Sequence, residues 1–537
     1  MKTKLLIAVS ALALAPSAAP AVAQHQHMPG MHKPAPAKPA AKKRSATKKK
    51  PAATKAAPRK AATKRPATKP AEEHAEPHVH EAPAVQPPVA APPPPVDHSQ
   101  MQHGTMPAQP APAGEAPAQM DHSQMDHSQM GHAQTAAPGE HAGHVAMTGA
   151  SGPYPMERES SGTAWQPDTS EHSALHAMSG QWTLMAHGVL NLVYDHQSGR
   201  RGDDKAFASG MLMGMARRPI GDGTLQFKAM ISTDPLMGKR GYPLLLASGE
   251  TANGRDRLID RQHPHDFFME LSGSVSQNIA PKSSLFLYAG LPGEPAFGPP
   301  AFMHREAIMD SPEAPISHHW LDSTHIAFGV VTGGIVLDRV KLELSRFNGR
   351  EPDQHRWNIE TGPLDSTAIR LSWNPTRELS LQGSWGHFEE PEQLEPDIDQ
   401  KRWSASLLYA REVAPGWKLA GTLAWGRKSI KDHHGDWLHD DAYVAEASMK
   451  HRGWTIFGRG EITENRELLE LEEGEHGPAF RVGKVSLGAV RDFKLAEHWS
   501  LGVGGLVAVN FVPDGLAPLY GGHNPLGAMA FVRLKLD

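Results

Sequence analysis

Cysteine is absent from all 537 residues, which excludes a disulfide framework and any thiolate metal site and leaves His, Met, Asp and Glu as the only metal ligands. Long apolar runs are missing too. Beyond the leader-like first residues no stretch offers the roughly 18 consecutive apolar residues of a transmembrane helix, so a helical inner-membrane protein is not expected. Nor is there a strong charge of one sign: 54 Lys and Arg stand against 58 Asp and Glu, a formal net charge of -4. That balance hides a local asymmetry, because residues 42–69 are almost purely Lys, Arg, Ala, Pro and Thr. What the chain does have in quantity is 22 Met and 32 His.

The Met and His residues are not scattered. Met120, His122, Met125, His127, Met130 and His132 recur on a five-residue beat, separated by small polar residues. Neither a helical nor a strand period is present, so the stretch has no packed core to belong to. The same pairing appears at His25, His27, Met28, Met31 and His32 and again at His98, Met101, His103 and Met106, with His-only echoes at His74, His78, His80, His141 and His144. Thioethers are poor ligands for zinc, magnesium or calcium but hold Cu(I) well, and imidazole serves both oxidation states of copper. The expected ion is therefore copper, Cu(I) first, with silver as the chemically related alternative.

Lys2 and Lys4 precede an apolar run from Leu5 to Ala15, and Ala21-Val22-Ala23 forms a small-residue cleavage site, so residues 1–23 read as a signal peptide. Residues 24–175 read as a long disordered arm. Its basic spacer cannot bury enough apolar area to fold, and the proline-rich run near 82–95 gives reach. An exported chain makes nucleic acid an unsuitable partner for the spacer; it is either an inert tether or a contact for anionic cell-envelope polymers.

From residue 176 to 537 the pattern changes to segments of about ten residues with period-two alternation. In the first, Trp182, Leu184, Leu190, Leu192 and Tyr194 share one face, while Thr183, His187, Asn191 and Asp195 share the other. Short links near 218–223, 278–283, 333–339, 374–378, 412–416, 451–453 and 491–498 alternate with long ones near 196–204, 233–265, 291–324, 348–366, 387–400, 428–441, 463–479 and 512–525. This predicts an all-β fold, a transmembrane antiparallel β-barrel of roughly 14 to 16 strands. It would sit in outer-membrane lipid with its short turns and arm in the periplasm. Trp182, Trp403, Tyr409, Trp417, Trp425, Tyr443, Trp454 and Trp499 lie near strand ends on the apolar register, as two interfacial girdles would require. One departure is the non-aromatic end, Leu534-Lys535-Leu536-Asp537.

Within the barrel half, Met211, Met213 and Met215 alternate on one face between Lys205 and Arg217, which predicts a thioether track along the inner wall, joined by Met185, His187, Met230 and Met529. The competing reading is that these methionines face lipid or fill a plugged lumen as adaptable packing. His263, His265, His304, His318, His319, His355, His387, His433, His434, His439, His476 and His523 fall in or beside long loops, which would gather them around the outer mouth. There His263 with His265, His318 with His319 and His433 with His434 could share ions.

The MDHSQM-type repeats from Met120 to Met130, behind a signal peptide and ahead of a barrel-like half, resemble the copper-resistance outer-membrane proteins of the CopB/PcoB type. The resemblance covers the repeats and the architecture, not the barrel residue by residue. It implies copper tolerance by binding or export at the outer membrane, with a periplasmic multicopper oxidase or a copper chaperone as partner. Such oxidases carry similar repeats, but their blue-copper site needs a Cys thiolate that this chain lacks. Two other functions remain open. One is a porin for an unrelated solute with an independent metal-binding tail. The other, an outer-membrane hydrolase, is disfavoured because no G-x-S-x-G elbow is suitably placed and Glu467, Glu470, Glu472 and Glu473 read as a solvated acidic loop.

Overall fold

A computed structural model describes residues 148–171, 173–431, 435–469 and 477–536. Seventeen strands there form one antiparallel sheet, and sixteen of them close into a barrel. Closure occurs at Trp182–Gln197, which pairs along one edge with Asp204–Ile220 and along the other with the last strand, Leu526–Leu536. No edge of the barrel is left unpaired, which is the condition for strands to cross lipid. The seventeenth strand, Leu175–Ser179, pairs with Trp182 to Ala186, the stretch that the last strand leaves uncovered. Among the described residues no helix is long and apolar enough to cross a membrane.

The alternation of short and long connections is as expected, with two shifts: Phe480–Ala496 runs through most of the link at 491–498, and Val330–Leu337 through most of that at 333–339. The Gly333-Gly334 pair reads as a turn, yet Val330–Leu337 runs straight through it to a tight turn at Asp338 and Arg339. The glycine is there for packing: a Cβ on Gly334 would lie 2.4 Å from the Phe286 ring.

Burial along the strands is inverted relative to a water-soluble protein. Leu212, Leu287, Leu344, Leu371, Leu423, Leu487 and Val507 are exposed, whereas Arg370, Arg402, Lys341 and Lys484 are almost fully buried. Apolar residues outside and paired charges inside are what a lipid-facing wall around a filled lumen demands. Trp417, Trp454 and Trp499 are exposed where strands leave the short turns, and Trp403, Trp437 and Tyr443 near the long-loop end. Two aromatic girdles result.

Two expectations are corrected. The first is the extent of the arm: residues 148–171, assigned to it, are packed inside the short-turn end of the barrel. Tyr154 and Trp165 join Phe286 and Val336 in a small core. Arg158 makes a bidentate pair with Asp168 at 2.7 and 2.9 Å, Arg217 reaches Glu159 at 2.5 Å, and Asn374 donates to the Gln166 carbonyl at 2.8 Å. Such a segment has no periodicity to betray it, because its partners are wall residues up to 279 positions away.

The second correction concerns the long loops, expected to converge over the mouth. The loop spanning 233–267 instead drops a hairpin, Tyr242–Thr251 paired with Arg257–Gln262, into the lumen. Its Leu244, Leu245 and Leu246 are fully buried in a core with Phe207, Phe457, Leu506 and Phe531 of the wall. The loop spanning 291–329 also turns inward and is fastened by charge. Arg305 is fully buried, bound to Glu446 through two hydrogen bonds of 2.8 Å and also to Asp322. Lys484 likewise holds Glu313. Glu467 is no free loop carboxylate either, since it pairs with Arg257 at 3.1 Å.

Candidate metal centre

Met211, Met213 and Met215 stand on the inner face of Asp204–Ile220, and Met211 and Met213 are 8% and 9% exposed. Antiparallel register then builds a cluster from strands that alone carry one or two such residues. Met185 faces Met215, His187 faces Met213, and Met213 faces Met230 on the next strand. Directly opposed residues on one face are side-chain neighbours. Beyond Met230 an irregularity in the pairing with Phe268–Ala280 lets Met269 and Glu270 both bury, so Met269 joins the cluster. Met529 does not join: it is buried, but against Phe207 and Phe531 in the larger core.

The inward loop completes the lining. Its turn Phe302–His304 sets Met303 against the methionine cluster and brings the His304 ring to 6.4 Å from that of His187. Between wall and loop lies a cavity of about 150 Å³ lined by Met185, His187, Met213, Met215, Met303 and His304. A second cavity of about 70 Å³, bordered by His263, His265 and Met269, lies toward the long-loop end. Val189, Met211, Met303 and Met309 line both. The two spaces are thus separated by thioethers rather than by charge. Charged groups around the larger cavity are paired, Lys228 with Glu270 at 3.5 Å and Arg533 with Asp310 at 2.7 Å.

Four histidines of the two inward loops are buried in the lumen, not displayed at the mouth. His263, His318, His319 and His325 are each under 9% exposed. Burial, reinforced for His263 by Arg356 and for His325 by His265, holds both imidazoles well below their ordinary pKa. His318 is also lowered by burial, against the opposing pull of Asp322. His319 differs: burial disfavours its charge, but Glu351 at 3.0 Å outweighs that and raises it. Neutral imidazoles are the metal-binding form.

Pairing follows space rather than sequence. His263 turns to Glu250 at 3.1 Å and His265 to Asp234 at 2.8 Å, and their ring centroids lie 6.5 Å apart. His318 and His319 diverge toward Asp322 and Glu351. The expected shared ion at the His263/His265 and His318/His319 pairs is therefore not supported by this geometry. The closer ring contacts are His265 with His325 at 5.0 Å and His318 with His325 at 5.3 Å. Elsewhere, His387 groups with Glu389 and Asp399 in a partly exposed set, His355 is exposed beside Asp353, and His439 and His523 are bonded to Ser429 and the Val512 carbonyl. The arm ligands from His25 to His132, together with His433, His434 and His476, lie outside the described residues.

Met269, Met303, Met309 and His325 were not singled out from sequence. A signal existed for two of them: Phe302-Met303-His304 repeats the Met/His pairing of the arm inside a long loop, and His325 follows His318-His319 within one short segment.

No family model and no curated protein matches the chain. Among solved structures the barrel is similar to an anion-selective porin from Comamonas acidovorans, with 13% identity, 66% of this chain and 100% of the porin covered, and a TM-score of 0.39. OmpF of Salmonella typhi, in complex with daunomycin, gives 10% identity, 67% and 100% coverage and a TM-score of 0.42. OprB of Pseudomonas putida gives 10% identity, 66% and 94% coverage and the same TM-score. At such distances the functional argument rests on this chain's own lumen.

Proposed function

We propose that this protein is an outer-membrane copper-tolerance protein. Its Met/His arm collects soft ions in the periplasm, and its barrel binds them or passes them outward through a thioether-lined route. The observation that carries this reading is the coincidence of two independent soft-ligand sets in one chain: the repeats on the arm and the methionine-lined cavities of the lumen. Cu(I) is the ion these donors favour, and silver shares the preference. A lumen crossed by residues 148–171 and by two inward loops favours a narrow ligand-exchange route over an open pore for bulky solutes. The resemblance of the repeats to the CopB/PcoB type points the same way, and makes a multicopper oxidase or copper chaperone the natural periplasmic partner.

Replacing Met211, Met213 and Met215 with Leu conserves volume, so stability should change by less than about 1.5 kcal/mol per site. Cells relying on the variant should lose copper tolerance, measured as growth in graded copper. Unchanged tolerance with normal barrel levels in the membrane would overturn the route. Deleting residues 96–132 tests the arm in the same assay, and tolerance that survives this deletion would remove the arm from the mechanism.

A further inference from the structure

We propose that His265, His318 and His325 form a three-imidazole site for one divalent first-row transition-metal ion, Cu2+ or Zn2+, held between the two inward loops. One ring nitrogen from each residue lies within 4.8 Å of one from each of the others. Nitrogens bound tetrahedrally to one ion at about 2.05 Å would be about 3.3 Å apart, so a bound ion needs only a small inward movement of the rings.

The second shell is already built. Nδ1 of His265 donates to Asp234 Oδ2 at 2.8 Å, Nδ1 of His318 to Asp322 Oδ1 at 2.8 Å, and Nδ1 of His325 to the Asp322 carbonyl at 2.7 Å. Carboxylate and carbonyl acceptors place the proton on Nδ1 and leave Nε2 of each ring as the lone-pair donor, the arrangement found behind metal-bound histidines. Nε2 of His265 and of His325 are buried with no hydrogen-bond partner, and His325 is only 6% exposed. Buried acceptors are normally satisfied. A cation set among the three rings would satisfy both orphaned nitrogens at once.

The donor set also selects the ion. Three imidazole nitrogens suit Cu2+ and Zn2+, whereas the thioethers of Met211, Met269 and Met303 in the adjoining cavity suit Cu(I). His265 lines that cavity and belongs to the trio, so the two donor types share a wall. The site extends the metal-handling reading but does not depend on it, because its occupancy is read on purified protein and copper tolerance is read in cells.

The test is equilibrium dialysis of the purified full chain in detergent against Zn2+ and, separately, Cu2+, counting ions bound per chain. Wild type is compared with the triple variant His265→Ala, His318→Ala, His325→Ala, whose fold is checked by circular dichroism. Arm ligands are common to both, so the difference is the readout. The expected result is one fewer ion per chain in the variant, for either metal or both. Equal counts for both metals in a folded variant would overturn the site. If the triple variant does not fold, His325→Gln replaces it under the same two outcomes. Asp234→Asn should retain the ion but bind it roughly 10- to 100-fold more weakly, and unchanged affinity would remove Asp234 from the second shell.

Discussion

From Trp182–Gln197 round to Gly223–Ser232 the lumen wall carries Met185, His187, Met211, Met213, Met215 and Met230 beside the buried Asp195, Arg217 and Lys228. From Val340–Phe347 round to Phe480–Ala496 it carries Lys341, Arg370, Arg402, Glu446, Arg459 and Lys484, all buried. The charged side is where the inward loop is fastened, and the methionine side is where space remains. The difference follows from what each side chain requires. A buried guanidinium or ammonium must be surrounded by acceptors, so the loop is drawn against it. A thioether has no obligatory partner and tolerates an adjoining cavity.

That contrast can be broken most severely at Arg305. Arg305→Met leaves Asp322 to the His318 imidazole and Glu446 to Arg459 at 3.7 Å, and should cost about 3–5 kcal/mol, read as a lower urea midpoint. The freed loop should also admit small sugars in a liposome-swelling assay, and a lumen that stays closed would show that charge is not what holds the loop. A smaller effect is expected at Gly426, where an added Cβ would meet the Trp320 carbonyl at 2.4 Å. Gly426→Val should push the short helix His318–Leu321 off the wall at a cost of about 1–3 kcal/mol, visible in the same unfolding curve.

Acid should sharpen the contrast on the histidine side. The imidazoles of His263, His318 and His325 have folded pKa values below their ordinary value, so the unfolded chain takes up protons first. Their contribution is whole at pH 7 and falls away below about pH 6.5. His319, raised by Glu351 despite its burial, works the opposite way, and its contribution is full at low pH and lost as pH rises through its folded pKa. A proton NMR titration of the His263, His318 and His325 rings should therefore give protonation midpoints below that of a free imidazole, and ordinary midpoints would contradict the buried neutral assignment. The smallest effect belongs outside the lumen. Lys282 and Asp338 sit 3.5 Å apart in short turns, with side chains 72% and 55% exposed, so Asp338→Asn should move the urea midpoint by less than about 0.5 kcal/mol.

Much of the barrel was legible because strand alternation is local. The faces of Trp182–Gln197 and of Leu526–Leu536 follow directly from which positions are apolar, and the inward positions of Met211, Met213 and Met215 from their sharing a face with Lys205 and Arg217. The plug was not legible. Residues 148–171 and the loops 233–267 and 291–329 have no period, and their partners, such as Asn374 for Gln166 or Glu446 for Arg305, are chosen across the barrel. Histidine pairing failed as a sequence rule for the same reason: adjacent residues His318 and His319 point to different acidic partners, while His265 and His325 meet across sixty positions.

The sequence by itself determined the soft-ligand chemistry, the absence of thiolate and the barrel period, since composition and alternation are properties of residues and their nearest neighbours. Only the tertiary structure decided that the loops fill the lumen and that thioethers and imidazoles gather in adjoining cavities. Both outcomes depend on which distant groups satisfy one another once water is excluded.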